Sequence, residues 1–340
     1  MKNGRKTKLE QMLKVLQRGK TMLIVMQDYP DPDAIGSAAA LKLIANSRYD
    51  IVCTLAHGGI VGRAENKAMV RYLDLSLQPM RKIDAGQFQT IAMVDTQPGT
   101  GNNSLDRKRI PDVVIDHHPV RNETRKASFH DIRSRYGATS TILYEYLKEM
   151  NVKPNVPLAT ALLYGIRSDT SDLARNATRS DEDAFLALYP LANRKALARI
   201  ERERLPQGYF RVLSKALGNA RTYGRCVVCS LGNINNPDMV SEVADLLLRN
   251  EKSSWALCFG VYKKRLLLSA RTSERGVGAG EVMNGIVEDI GTGGGHSALA
   301  GGQITIGSHS QAEVSRLQDR ITARFLEMTN TRKTKGRSLV

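Results

Sequence analysis

Cysteine is scarce in this 340-residue chain: four in all, too few and too scattered for the disulfide framework of a small secreted protein. Cys226 and Cys229 make a nominal C-x-x-C, but Val227 and Val228 between them argue for a strand. An offset of three places the two thiols on opposite faces of a strand, where they cannot share a zinc ion. Long apolar runs are missing as well. The longest clean one near the N-terminus, MLIVM at 22–26, is far too short to cross a bilayer. The basic start MKNGRKTKLEQ has no apolar stretch behind it. Neither a signal peptide nor a membrane partner is therefore expected, and the expected location is cytoplasmic. Alternating glycines at 276–280 and 291–295 do not continue into the strand, helix and acidic residue that a dinucleotide fold requires.

Acidic residues are outnumbered, 34 against 50 Lys and Arg, for a formal charge of +16. That excess favours polyanionic partners through its summed field. Hydrophobic residues make up 41% and charged residues 25%, a globular profile. The length suits two domains.

The first half alternates short apolar runs with amphipathic stretches. TMLIVMQ at 21–27 reads as a strand buried on both faces. Residues 34–45 read as a helix with Asp33 as its N-cap. Runs at 91–94 and 113–115 lead into Asp95 and into Asp116-His117-His118. Helical patterns at 139–150 and 157–166 follow, the second running into Ser168-Asp169-Thr170. This β-α-β rhythm predicts an α/β fold with a mostly parallel N-terminal sheet flanked by helices. Strands at 225–231, 255–262 and 265–270 and helices at 242–250 and 279–289 predict a smaller C-terminal α/β domain, with a cleft between the two. The expected divisions are 15–185, a helical connector at 186–222, 223–328, and a basic tail at 329–340.

Acidic residues follow these runs at Asp31 and Asp33, Asp95, Asp116 and Asp169. Any one of them alone is as well explained as a helix cap or a turn residue. In an open α/β sheet, however, ligands gather beyond the carboxyl ends of the strands. If these loops share that edge, five carboxylates and the imidazoles of His117 and His118 converge there. Their mutual repulsion calls for divalent cations, and carboxylate and imidazole donors without thiols suit Mn²⁺ or Mg²⁺.

DPDAIGSA at 31–38, VDT at 94–96, DHHP at 116–119 and SDT at 168–170 resemble the four motifs of the DHH phosphoesterase family, which includes RecJ-type exonucleases and an oligoribonuclease and pAp-phosphatase branch. SART at 269–272 and GGGHSALAGG at 293–302 resemble the DHH-associated C-terminal domain, so the likeness runs over roughly 15–325. The resemblance implies that Asp31, Asp33, Asp95, His117 and Asp169 hold two Mn²⁺ ions, Mg²⁺ being the alternative, with Asp95 bridging. It implies His118 at the scissile phosphate and Asp116 orienting a histidine. It further implies that Arg271, Gly294, Gly295 and His296 grip substrate, and the amides around Ser37 are placed to meet an anion. One position departs: the family has His four residues before the first Asp, where this chain has Gln27, a poorer, neutral ligand.

The expected reaction is hydrolysis of short oligoribonucleotides, linear dinucleotides or 3′-phosphoadenosine 5′-phosphate to mononucleotides by metal-activated water. Two alternatives stand beside it. One is a nucleotide- or RNA-binding protein that lost turnover with Gln27. The other is pyrophosphate or polyphosphate hydrolysis, against which the GGGH element argues. Short RNA or nucleotide is the expected partner; the sequence does not fix oligomeric state and admits a homodimer.

Overall fold

Short runs of Val, Ile, Leu and Met build the first sheet, and their order along the chain decides what lies on each face. The computed structural model describes residues 2–295, 297–307, 311–331 and 335–340. It divides into two units, Met1–Glu203 and Arg204–Val340. In the first, β1 (Thr21–Val25), β2 (Val52–His57), β3 (Leu77–Pro79), β4 (Thr90–Val94), β5 (Val113–Asp116) and β6 (Phe129–Ile132) form an all-parallel sheet in the order β3-β2-β1-β4-β5-β6. The central strands β1 and β4 are buried nearly throughout, which explains why they read as unbroken apolar runs.

Between β1 and β3 the chain moves outward to one edge; from β4 to β6 it moves to the other. Right-handed crossovers in opposite directions lie on opposite faces. Accordingly α2 (Pro32–Tyr49) and α3 (Ala64–Tyr72) cover one face. They share its core with α1 (Lys2–Leu16), α4 (Thr139–Glu149), α5 (Val156–Thr170), α6 (Arg179–Leu188) and α7 (Arg194–Glu201). The other face, with Leu23, Val25, Met93 and Val114, is covered instead by Met80, Leu105 and their neighbours from crossovers without α-helix.

Asp31, not Asp33, caps α2. Its carboxylate accepts the Ala34 N–H at 2.9 Å, and Pro32 opens the helix, where its missing N–H is harmless. Asp33 thus falls in the first turn. Gly36 lets α2 meet α4 and α5 closely: a Cβ there would stand 3.1 Å from the Ala161 carbonyl oxygen and 3.2 Å from Ser140 Oγ.

The second unit holds α8 (Gln207–Asn219), β7 (Arg221–Tyr223), β8 (Cys226–Asn233), α9 (Met239–Leu247), β9 (Trp255–Tyr262), β10 (Arg265–Thr272), α10 (Ala279–Val287), β11 (Thr292–Gly295), β12 (Leu299–Thr305), α11 (Gln311–Met328) and β13 (Arg337–Ser338). Its sheet runs β11-β12-β10-β9-β8-β7-β13, antiparallel except for the β8–β9 pair. Cys226 and Cys229 lie in separate cores on the two faces of this sheet, as an offset of three on a strand requires. The glycine-rich segment forms the β11–β12 hairpin, and a Cβ on Gly295 would fall 2.3 Å from the Leu299 carbonyl oxygen. Residues 186–222 are divided, α7 belonging to the first unit and α8 to the second. Among the described residues no helix is long and apolar enough to cross a membrane.

Candidate metal centre

All six strands of the first sheet are parallel, so their carboxyl ends share one edge, and the acidic residues meet there. Asp95 directly follows β4 with φ at 56°, a left-handed conformation that costs a non-glycine residue on the order of 1–2 kcal/mol. Its N–H donates to the Ile115 carbonyl at 3.0 Å, locking the turn. Asp116 ends β5 with His117 and His118 behind it, Asp33 comes from the first turn of α2, and Asp169 from the end of α5.

Two donor sets result: Asp33, Asp95, His117 and Asp169, and Asp95, Asp116, His117 and His118. Within each set the ligating atoms all lie within 4.8 Å of one another, and Asp95 and His117 belong to both. His117 Nε2 is 3.2 Å from Asp169 and 3.5 Å from Asp95, while its Nδ1 meets the Tyr136 carbonyl at 3.1 Å. A carbonyl on Nδ1 fixes the ring so that Nε2 is the ligating nitrogen. Asp31 stands outside both sets, its carboxylate turned to the Ala34 N–H.

Asp33 is held from across the chain. Thr139 N–H and Ser140 N–H each donate to one of its oxygens at 2.7 Å, so this carboxylate caps α4, whose own N-cap residue, Ala138, has no side-chain acceptor. Thr139 Oγ1 donates to Asp95 at 3.0 Å. Asp116 accepts from Gln97 Nε2 at 2.7 Å and is paired with His118 Nδ1 at 2.8 Å. Gln97 is itself fully buried, and its oxygen accepts from Arg121 N–H and Thr124 Oγ1. None of Gln97, Thr139, Ser140 and Tyr136 was anticipated from sequence. The signal for Thr139 and Ser140 was there: a helix start without a local capping side chain needs an acceptor from elsewhere.

The electrostatics are those of like charges forced together. Burial, and then Asp169 and Asp33, push Asp31 up to about 7. Asp33 is raised by burial and by Asp169. Asp95 is raised well above its ordinary value, by burial and then by Asp33, Asp31 and Asp169. Burial alone would lower His117, but the Asp169 hydrogen bond and charge, helped by Asp33 and Asp116, take it up to about 10. Asp116 goes the other way: burial is outweighed by His118, His117 and Gln97, and its carboxyl is held low. Oxygen-rich, thiol-free and short of positive charge, this donor set fits a divalent cation of the manganese or magnesium kind. Gln27, in the position of the expected histidine, faces Asp95 with its amide nitrogen at 3.5 Å and also hydrogen-bonds Asp31.

A family described as "DHH family, N-terminal domain" matches residues 22–166, and "DHHA1 domain" matches 224–325. An uncharacterized protein of Methanocaldococcus jannaschii is 34% identical over 350 residues, covering 95% of this chain and 70% of that protein. The chain belongs to the DHH phosphoesterase family. A probable manganese-dependent inorganic pyrophosphatase of Lactobacillus johnsonii is 27% identical over 175 residues, 50% of this chain and 54% of that protein. Among solved structures, an exopolyphosphatase-related protein from Bacteroides fragilis superposes with a TM-score of 0.74 at 14% identity, over 95% of this chain and 98% of that one. RecJ from Thermus thermophilus in complex with Mn²⁺ gives a TM-score of 0.52 at 13% identity, over 95% of this chain and 55% of RecJ. These two likenesses are of fold.

Of the five expected substrate contacts, Arg271, Gly294 and Gly295 belong to the second unit of this DHH-family chain. Arg271, on β10, has 12% of its side chain exposed; it is paired with Asp245 and donates to Ser269 Oγ at 2.7 Å. Gly294 and Gly295 are on β11. His296 lies outside the described residues. Ser37, the fifth, is fully buried in α2 with its hydroxyl 3.4 Å from Ser140 Oγ.

Proposed function

We propose that this chain is a metal-dependent phosphoesterase whose substrates are short oligoribonucleotides, linear dinucleotides or 3′-phosphoadenosine 5′-phosphate, cut to mononucleotides. The observation that carries this reading is the pair of overlapping donor sets sharing Asp95 and His117. Asp33, Asp95, His117 and Asp169 would hold one divalent ion, and Asp95, His117 and their neighbours Asp116 and His118 frame the space for a second. Divalent ions bound there supply positive charge to a phosphate and lower the pKa of attacking water.

The chain's own residues do the rest. Thr139 orients Asp95 through its hydroxyl, and the α4 amides hold both oxygens of Asp33, so neither carboxylate has to reorganise when a ligand arrives. Asp116 is a positioning residue. It holds His118 at Nδ1, which leaves Nε2 of that ring to donate a proton to a departing oxygen. Gln97 keeps Asp116 in place from the far side. His118 is suited to meet solvent and substrate, because 37% of its side chain is exposed against 8% for His117.

The nucleotide character of the substrate is supported by the charge of +16 and by the DHHA1 match over 224–325. The similarity to a pyrophosphatase favours one competing reading, pyrophosphate hydrolysis. A Mn²⁺-supplemented product profile separates them. The proposed reading expects mononucleotide from labelled two- to ten-nucleotide RNAs and little phosphate from pyrophosphate. The reverse pattern refutes it. Binding of RNA without turnover by the wild type and by Gln27→His would favour a non-catalytic protein.

A further inference from the structure

The face of the first sheet that lacks α-helix is covered by three crossovers, residues 80–89, 95–112 and 117–128, which anchor in it through Met80, Leu105 and Ala127. Their outward side is basic: Arg81 and Lys82 come from the first, Arg107 and Lys108 from the second, Arg125 and Lys126 from the third. All six are exposed, and among the described residues none is in an ion pair. Three carboxylates on the same crossovers are turned to backbone instead, while a fourth, Glu123, is exposed beside Gly99. Asp84 accepts Gly86 N–H at 2.9 Å, Asp106 accepts Lys108 N–H at 3.0 Å, and Asp112 accepts Ile91 N–H at 2.8 Å. Arg109 lies against Gly86, where a Cβ would be 2.9 Å from its guanidinium, so the first two crossovers adjoin. The third is tied to the candidate metal centre, because Gln97 accepts both Arg121 N–H and Thr124 Oγ1 while donating to Asp116.

We infer that this face is a docking surface for the phosphate backbone of single-stranded RNA, leading from the first two crossovers to the edge that carries Asp116 and His118. The inference rests on the proposed function for the ribonucleotide nature of the anion, and extends it from the reacting phosphate to the strand upstream or downstream. Unpaired guanidinium and ammonium groups distributed over adjoining loops match a chain of phosphates, which they bind with release of counterions.

The test uses the full chain in EDTA, so that turnover plays no part, with a fluorescein-labelled twenty-nucleotide poly(U) RNA and anisotropy read from 50 to 200 mM salt. Arg81→Gln/Arg107→Gln/Lys108→Gln should weaken binding about tenfold or more and flatten the log–log salt slope by about 2, near 0.7 for each phosphate that is no longer neutralised. Its thermal midpoint should match the wild type. Independently of any variant, RNA should protect Lys82, Lys108 and Lys126 of the wild type from acetylation and leave Lys42, on α2, unprotected. Unchanged affinity and slope, or no protection, overturns the inference. Binding to phosphatidylserine vesicles in place of RNA also overturns it. Because no hydrolysis is measured, failure here is distinct from failure of the phosphoesterase reading, which the product profile decides.

Discussion

Replacing Asp95 by Asn should stabilise the metal-free protein while removing its response to metal. Ligating atoms of Asp33, Asp95 and Asp169 lie within 4.8 Å of one another, so at an effective dielectric of about 20 each ionised pair would repel by about 3.5 kcal/mol or more. Asp95 enters two of these pairs and a third with Asp116, opposed by His117 at 3.5 Å. The chain avoids much of this by retaining protons, as the raised Asp31, Asp33 and Asp95 carboxyls indicate. What Asn recovers is the remainder, less than one such pair and so roughly 1–3 kcal/mol. For a unit the size of the first, each kcal/mol moves the thermal midpoint by roughly 2–4 °C. In EDTA at pH 7.5 the variant should therefore melt several degrees above the wild type. With Mn²⁺ at a hundredfold over its Kd, the wild type gains about 2.7 kcal/mol and roughly 5–11 °C, and the variant almost nothing. Scanning fluorimetry with and without Mn²⁺ reads both. A variant less stable than wild type in EDTA, yet equally stabilised by Mn²⁺, would refute the charge-cluster reasoning.

The same groups set a pH dependence. Carboxyls with raised folded-state values contribute stability that is complete below about 3.8 and is lost as pH rises, for Asp31 through about 7. His117 acts in the same direction, its contribution complete below 6.5 and lost through about 10. Metal-free protein should thus lose stability between pH 5 and 9, and the Mn²⁺ increment should grow over that range; thermal melts in EDTA and in Mn²⁺ check the sign. Asp116, held low, adds the opposite limb, stability lost only as pH falls below 3.8 toward its lowered folded value, visible as acid unfolding. Gln97→Leu leaves Asp116 and Thr124 short of a buried partner; kcat should fall roughly 10–100-fold while Mn²⁺ content by mass spectrometry stays at the wild-type level. Gln27→His adds an imidazole beside Asp31 and Asp95 and should tighten Mn²⁺ binding about tenfold in titration calorimetry.

The strands that carry the centre were legible because they are buried on both faces: β1 and β4 are short apolar runs with nothing polar to interrupt them, and Asp95 and Asp116 stand at or just past strand ends. Alternation of such runs with amphipathic stretches was enough to predict a parallel sheet, and parallel strands put those residues on one edge without further information. What was not legible depends on contacts between distant residues. Asp33 and Thr139 are 106 positions apart, and only the folded chain shows that an α2 carboxylate caps α4. Gln97 looks like any loop glutamine until Asp116 closes on it. The burial of Ser37 was not legible either: the Gly36 contact draws α2 so close to α4 and α5 that its hydroxyl is sealed in. The edge strands β3 and β6 are three and four residues long, too short for a periodicity to appear.

Crystals of the full chain grown with Mn²⁺, with anomalous scattering collected at the manganese edge, test the central claim most directly. An ion should appear within bonding reach of Asp33, Asp95, His117 and Asp169, at about 2.0–2.3 Å from its donors. Manganese peaks only at other positions, with these four side chains still hydrogen-bonded to one another, would contradict the account.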